Sequence, residues 1–77
     1  MAVGFVLITT HPGAELSVRE AVSRIEYVSG QWIVFGLHDL FVKVEAEDEV
    51  ELTRCVVQEI RSFEGIADTR TVVGAEI

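Results

Sequence analysis

The residues best suited to chemistry gather in one short run, Phe35-Gly36-Leu37-His38-Asp39. A glycine permits the backbone of a tight turn, and an aspartate close behind it can accept from nearby backbone amides. Two readings stand side by side: a hairpin turn whose glycine and aspartate serve the turn alone, or a loop that presents its amides, His38 and Asp39 to a ligand. A second polar group, Thr69-Arg70-Thr71, interrupts a β-rich stretch. In a strand its two threonines share one face and Arg70 takes the other. Threonine is an ordinary strand residue, yet hydroxyls in an apolar strand can also hydrogen-bond a small polar ligand.

Catalysis finds less support. His38 and Asp39 are neighbours in sequence, which in a strand sends their side chains to opposite faces and defeats a hydrolase-type relay. His11 precedes Pro12 in a loop without an evident partner. No serine, cysteine or glutamate stands at a recognisable nucleophile or metal-ligand spacing, so the chain is not expected to be an enzyme or to hold a metal or cofactor. Cys55 is the only cysteine; it can close no disulfide within the chain and reads as a small buried hydrophobe. Thirteen acidic residues against six basic give a formal charge of −7. That field repels phosphate backbones, and no basic cluster accompanies Trp32, Phe35 and Phe41, so direct nucleic-acid binding is not expected.

The elements that must position these residues can be read from period. Ala2 to Thr10 is apolar and β-branched and stops at His11-Pro12-Gly13, a strand followed by a turn. From Ala14 the spacing becomes helical, with Ala14, Val18, Ala21, Val22 and Ile25 on one face, Glu15 and Arg19 one turn apart on another, and an end near Glu26. Val28 to Phe35 and Asp39 to Glu45 read as two strands joined by Gly36-Leu37-His38, a hairpin. The acidic run Glu45-Ala46-Glu47-Asp48-Glu49 opens a second helix, where the helix dipole favours negative charge. Its buried stripe is Leu52, Cys55, Val56, Ile60 and Phe63, and a last strand spans Ile66 to Val73 after Gly65. The order βαββαβ predicts an α+β, ferredoxin-like fold: a four-stranded antiparallel sheet with two helices on one face.

One domain over residues 1–77 is expected, and so short a chain hides only about 60% of its unfolded surface. Its first strand puts Val3, Phe5 and Leu7 on one face and Val6 and Ile8 on the other, while the second splits Trp32 and Val34 from Ile33 and Phe35. Both sheet faces are therefore apolar, yet two helices can cover only one. A dimer packed sheet to sheet is expected to cover the second and to supply the missing core. The apolar stretch Ala2 to Ile8 is too short to span a bilayer and no basic segment precedes it, so a cytoplasmic protein without membrane attachment is expected.

The run from Gly36 to Val44 resembles the G-x-(aromatic or His)-D-x-x-x-K/R-V hairpin of the Lrp/AsnC ligand-binding, or RAM, domain. The run from Ile60 to Val73 is similar to that family's I-R-x-x-x-G-V-x-x-T-x-T-x-V ending, in the same order and spacing. The resemblance implies sheet-packed dimers that assemble into an octamer or similar ring, and an amino acid or related small effector bound at contacts between dimers. Carried onto this chain, it implies ligand contacts from Gly36, Leu37, His38 and Asp39 in the turn and from Thr69 and Thr71 on the last strand. Full-length members of the family place a helix-turn-helix before this domain. Here the first strand begins almost at Met1, so a stand-alone member without its own DNA reader is expected, one that either modulates full-length relatives by co-assembly or acts on metabolic partners.

Overall fold

A computed structural model describes residues 1–74; the last three residues of the expected 1–77 domain lie outside the described residues. The elements are β1 (Ala2–Thr10), α1 (Glu15–Ser23), β2 (Val28–Ile33), β3 (Leu40–Ala46), α2 (Glu49–Arg54) with a π-helical continuation (Cys55–Ile60), and β4 (Ile66–Gly74). All pairings are antiparallel and the strand order is β2-β3-β1-β4. Two split βαβ units interlock in this way, giving the ferredoxin-like α+β fold expected from the sequence.

The largest departures from the expected boundaries fall at the end of the first helix and at the hairpin. The first helix stops at Ser23 because Arg24 and Ile25 donate only three residues back, to Ala21 and Val22, and the chain leaves the helix in tight turns. β2 ends at Ile33 and β3 starts at Leu40, although the Val34 N–H still reaches the Asp39 carbonyl at 3.0 Å. The second helix is not uniform. Asp48 caps it, its Oδ1 accepting the Glu51 N–H at 2.8 Å. Further on the coil widens, and the Arg61 N–H donates to the Val56 carbonyl five residues back.

Strict alternation builds the core. Ala2, Val6, Ile8 and Thr10 of β1 are buried, as are Leu40, Val42, Val44 and Ala46 of β3 opposite. Val18 and Val22 of α1, then Ile25, Leu52, Cys55, Val56 and Ile60, close over them. A methyl group on Gly4 would lie 2.9 Å from Leu52 Cδ2, so the second helix sits directly on the backbone of β1. Phe63, expected on the buried stripe, packs half-buried at its edge.

The alternate residues of the same strands face away from both helices. Phe5, Phe41 and Trp32 form an aromatic row, with ring centroids 5.2 Å apart for Phe5 and Phe41 and 5.9 Å for Trp32 and Phe41. Val72 of β4 extends the row beside Phe5. Trp32 and Val72 remain 53% and 58% exposed.

Candidate functional site

The hairpin turn is tied to the end of β1 by two consecutive threonines that point to opposite sides of the sheet. On the helix side, Thr10 gives Asp39 Oδ2 both its N–H, at 2.8 Å, and its hydroxyl, at 3.1 Å. Asp39 is further fixed through its backbone, its N–H donating to the Ile8 carbonyl at 2.8 Å and its carbonyl accepting from Val34. Such charge-assisted bonds hold more firmly than neutral ones.

On the open side, the Thr9 hydroxyl donates to the Leu37 carbonyl at 3.1 Å and lies 3.0 Å from His38 Nδ1. A hydroxyl has one proton, so the second contact needs an N–H on Nδ1. That assignment, made from the network, leaves His38 Nε2 an acceptor in the neutral ring. Gly36 carries φ +121°, which L side chains avoid, and nothing lies within 4 Å of an added Cβ. Glycine is there for the backbone, not for space.

Two concavities flank this turn. The one on the open side, about 330 Å³, is lined by Thr9, Leu37 and His38 with Asp68 and Arg70 of β4. The one on the helix side, about 200 Å³, lies between α1 and the hairpin and is lined mainly by Leu16, Ile33, Val34 and Phe35, with Glu15, Arg19 and Asp39 as its polar groups. A wider groove of about 520 Å³ follows the outer surface of α2 and its continuation, lined by that helix alone. It offers no convergent polar groups from separate elements, which a small-molecule site requires.

The structure therefore gathers Gly36, Leu37, His38 and Asp39 at one turn but divides them between two sides. Thr69 and Thr71 do not join Leu37 and His38. They pair with Ile8 and Val6, whose side chains face the helices, and so share that side of the edge strand. β4 offers the open-side concavity Asp68 and Arg70 instead. Thr9, Thr10, Asp68 and Arg70 were not singled out as site residues from sequence, although the alternation that groups the two threonines also groups Asp68 with Arg70.

The perturbed ionisable groups lie away from the turn. The Glu51 carboxylate beside the Tyr27 hydroxyl raises that phenol, and burial pushes the Cys55 thiol up to about 11. Among the described residues no three His, Cys, Asp or Glu side chains gather to hold a metal ion, and no helix is long and apolar enough to cross a membrane.

Comparison with known proteins adds relatives to this geometry. The family model described as Lrp/AsnC ligand binding domain matches residues 3–75. Among curated proteins, the HTH-type transcriptional regulator PH1916 of Pyrococcus horikoshii is 33% identical over 72 residues, 90% of this chain and 48% of its own length. The chain spans about half the length of the curated relatives it matches. Among solved structures, FFRP-DM1 is 31% identical with a TM-score of 0.93, the match covering 97% of this chain and all of that one. The regulator NMB0573 of Neisseria meningitidis, solved as an L-Met complex, is alike in fold alone, at 14% identity and a TM-score of 0.87 over 97% of this chain and 50% of its own.

Proposed function

The chain belongs to the Lrp/AsnC ligand-binding domain family, and on that premise we propose that it senses an amino acid or related small effector at its hairpin turn and assembles through its open sheet face. The observation that carries the reading is the clamped turn. Thr9 and Thr10 fix the segment from Leu37 to Asp39, and on each side of it a concavity displays one cation and at least one carboxylate, Arg70 with Asp68 and Arg19 with Glu15. A rigid turn between opposite charges suits a zwitterion, because ordering costs little at binding and both head groups find a partner. A regulator of the same fold holding L-Met supports the choice of ligand class.

Assembly rests on the aromatic row of Phe5, Phe41 and Trp32, half-covered in a single chain and self-complementary across a two-fold axis. Dimers then build an octamer or similar ring, in which a ligand at the turn of one copy meets Thr69 and Thr71 on the edge strand of another. The curated relatives are transcriptional regulators, and the effector's role is to bias such a regulator, by co-assembly or through a metabolic partner. The Phe35 and Leu37 side chains, 96% and 89% exposed at the turn, favour a second reading in which the hairpin only builds the ring.

A thermal-shift panel of the twenty amino acids separates the two. Ligand at about a hundred times its dissociation constant stabilises by roughly 2.7 kcal/mol, a shift of about 10–20 °C in a domain of this size. A response to one or a few amino acids is expected. No response to any of the twenty, from a protein that still assembles, would leave the hairpin as a purely structural element.

A further inference from the structure

We infer that the outer face of the second helix, α2 with its π-helical continuation, is a self-contact at which two copies pair antiparallel across a two-fold axis. This rests on the reading that dimers assemble further, and it names the surface by which they do so.

The helix buries one side and leaves a second apolar stripe on the other. Leu52, Cys55, Val56 and Ile60 close the core, while Val50 and Val57, seven residues apart, face outward at 76% and 49% exposure. Seven residues make about two helical turns, so the two valines share a face. Thr53 and Arg54 lie between them, and with Glu49 and Gln58 at the sides they line the groove of about 520 Å³.

The order of charges along this stripe selects the occupant. Glu47, Asp48, Glu49 and Glu51 stand at the start of the helix, and Arg54 and Arg61 follow at its middle and its end. Glu59 lies off the stripe, beside the Cys55 thiol. A uniformly basic peptide would meet Arg61, and a uniformly acidic one would meet Glu47 and Glu49. A second copy laid antiparallel, centred between Thr53 and Arg54, matches both ends. Val50 then packs on the partner's Val57, Glu49 faces the amide of the partner's Gln58, and Arg61 comes within reach of the partner's Glu47. Among the described residues Arg54 pairs with Glu51, whereas Glu47, Glu49 and Arg61 close no ion pair within the chain. Opposed helix dipoles add to the match.

The contact is small, since one helix with two valines buries less than the roughly 800 Å² per partner of a standard interface. It does not hold two monomers together at micromolar concentration. It acts between dimers already joined through the aromatic row, where linkage raises the effective concentration of each further contact. The helices and the aromatic row lie on opposite sides of the sheet, and two self-complementary contacts on one chain build a ring when their rotations close.

Sedimentation of the whole chain at micromolar concentration provides the test. Val50→Glu and Val57→Glu leave the core intact, because both side chains face outward, and each should convert a species larger than the dimer into the dimer with an unchanged circular dichroism spectrum. Arg61→Glu should do the same. Adding Glu47→Arg to Arg61→Glu should restore the larger species, a rescue that a merely weakened helix would not show. Assembly beyond the dimer that survives both valine substitutions, or a charge swap that restores nothing, overturns the α2 contact and leaves a ring built through another surface. A wild-type protein that stops at the dimer overturns the contact and the ring together, and leaves the sensor reading to the amino-acid panel.

Discussion

The two faces of the sheet are built from alternate residues of the same strands, and they differ above all in what covers them. Val6, Ile8, Val42 and Val44 on one face are sealed by Val18, Val22, Leu52 and Ile60. One residue along, Phe5, Leu7 and Phe41 on the other face lie beside Lys43, Trp32 and the neighbouring strand β4. The covered face is small and aliphatic because helix-to-sheet packing within one chain leaves little room, as the seating of Leu52 on Gly4 illustrates. The open face is large and aromatic. Large flat side chains are the usual anchors of interfaces between chains.

Substitutions at adjacent positions of β3 test that difference most severely. Val42 is fully buried, so Val42→Asp forces a carboxylate into the aliphatic core and should cost about 4 kcal/mol or more, a large part of the stability of so small a domain. Far-UV circular dichroism should show an unfolded chain. Phe41→Asp, one residue earlier, should leave the fold but abolish association, giving a folded monomer in sedimentation at micromolar concentration. A Phe41→Asp protein that still dimerises would mean that assembly uses another surface.

Much of this contrast was legible in the sequence because period 2 and period 3.6 are local signals. The alternation in Ala2 to Thr10 alone separates the two faces, and the stripe through Leu52, Val56 and Ile60 identifies the covering helix. What a local pattern cannot supply is register. Thr69 and Thr71 were correctly placed on one side of their strand and Arg70 on the other. Which side meets the hairpin turn depends on pairing across some thirty to sixty residues of sequence and on the irregularity that lets Thr9 oppose Asp68 while Thr10 opposes Ile66. The Asp39 clamp was hidden for the same reason, since Thr10 lies 29 residues away. The π-helical widening at Cys55–Ile60 has no signal in composition, and the structure gives no single residue that explains it.

The turn sits where the two faces meet, and its two clamps sharpen the comparison at smaller magnitude. Thr10 is buried and gives two hydrogen bonds to a carboxylate, so Asp39→Ala leaves a buried hydroxyl and amide without their partner and should cost about 1–3 kcal/mol. Thr9 lies on the open side and contributes neutral hydrogen bonds only. Thr9→Val should cost about 0.5–1.5 kcal/mol by urea denaturation. If Thr9→Val proved the more damaging of the two, the hairpin would be anchored chiefly from the open face.

The covered face also predicts a dependence on pH through Cys55. Burial in the helix-to-sheet layer, with the Glu59 carboxylate adding to it, raises the thiol from an ordinary 9.0 to about 11. Below pH 9 the thiol is protonated in folded and unfolded chains alike, and its full contribution to stability is present. Between 9 and 11 the unfolded chain alone sheds its proton, so stability falls as pH rises and the contribution is gone above the folded value. Tyr27, raised by Glu51, titrates in the same alkaline region, so the useful quantity is the difference between two proteins. Urea midpoints of the wild type should decline from pH 8.5 to 11 more steeply than those of Cys55→Ala. Parallel curves would mean that the thiol ionises in place and that the layer over the covered face admits water. A thiol reagent at pH 8 gives the matching contrast. It should react slowly with Cys55 and readily with Val72→Cys in a Cys55→Ala, Phe41→Asp background, where the open face has lost its partner.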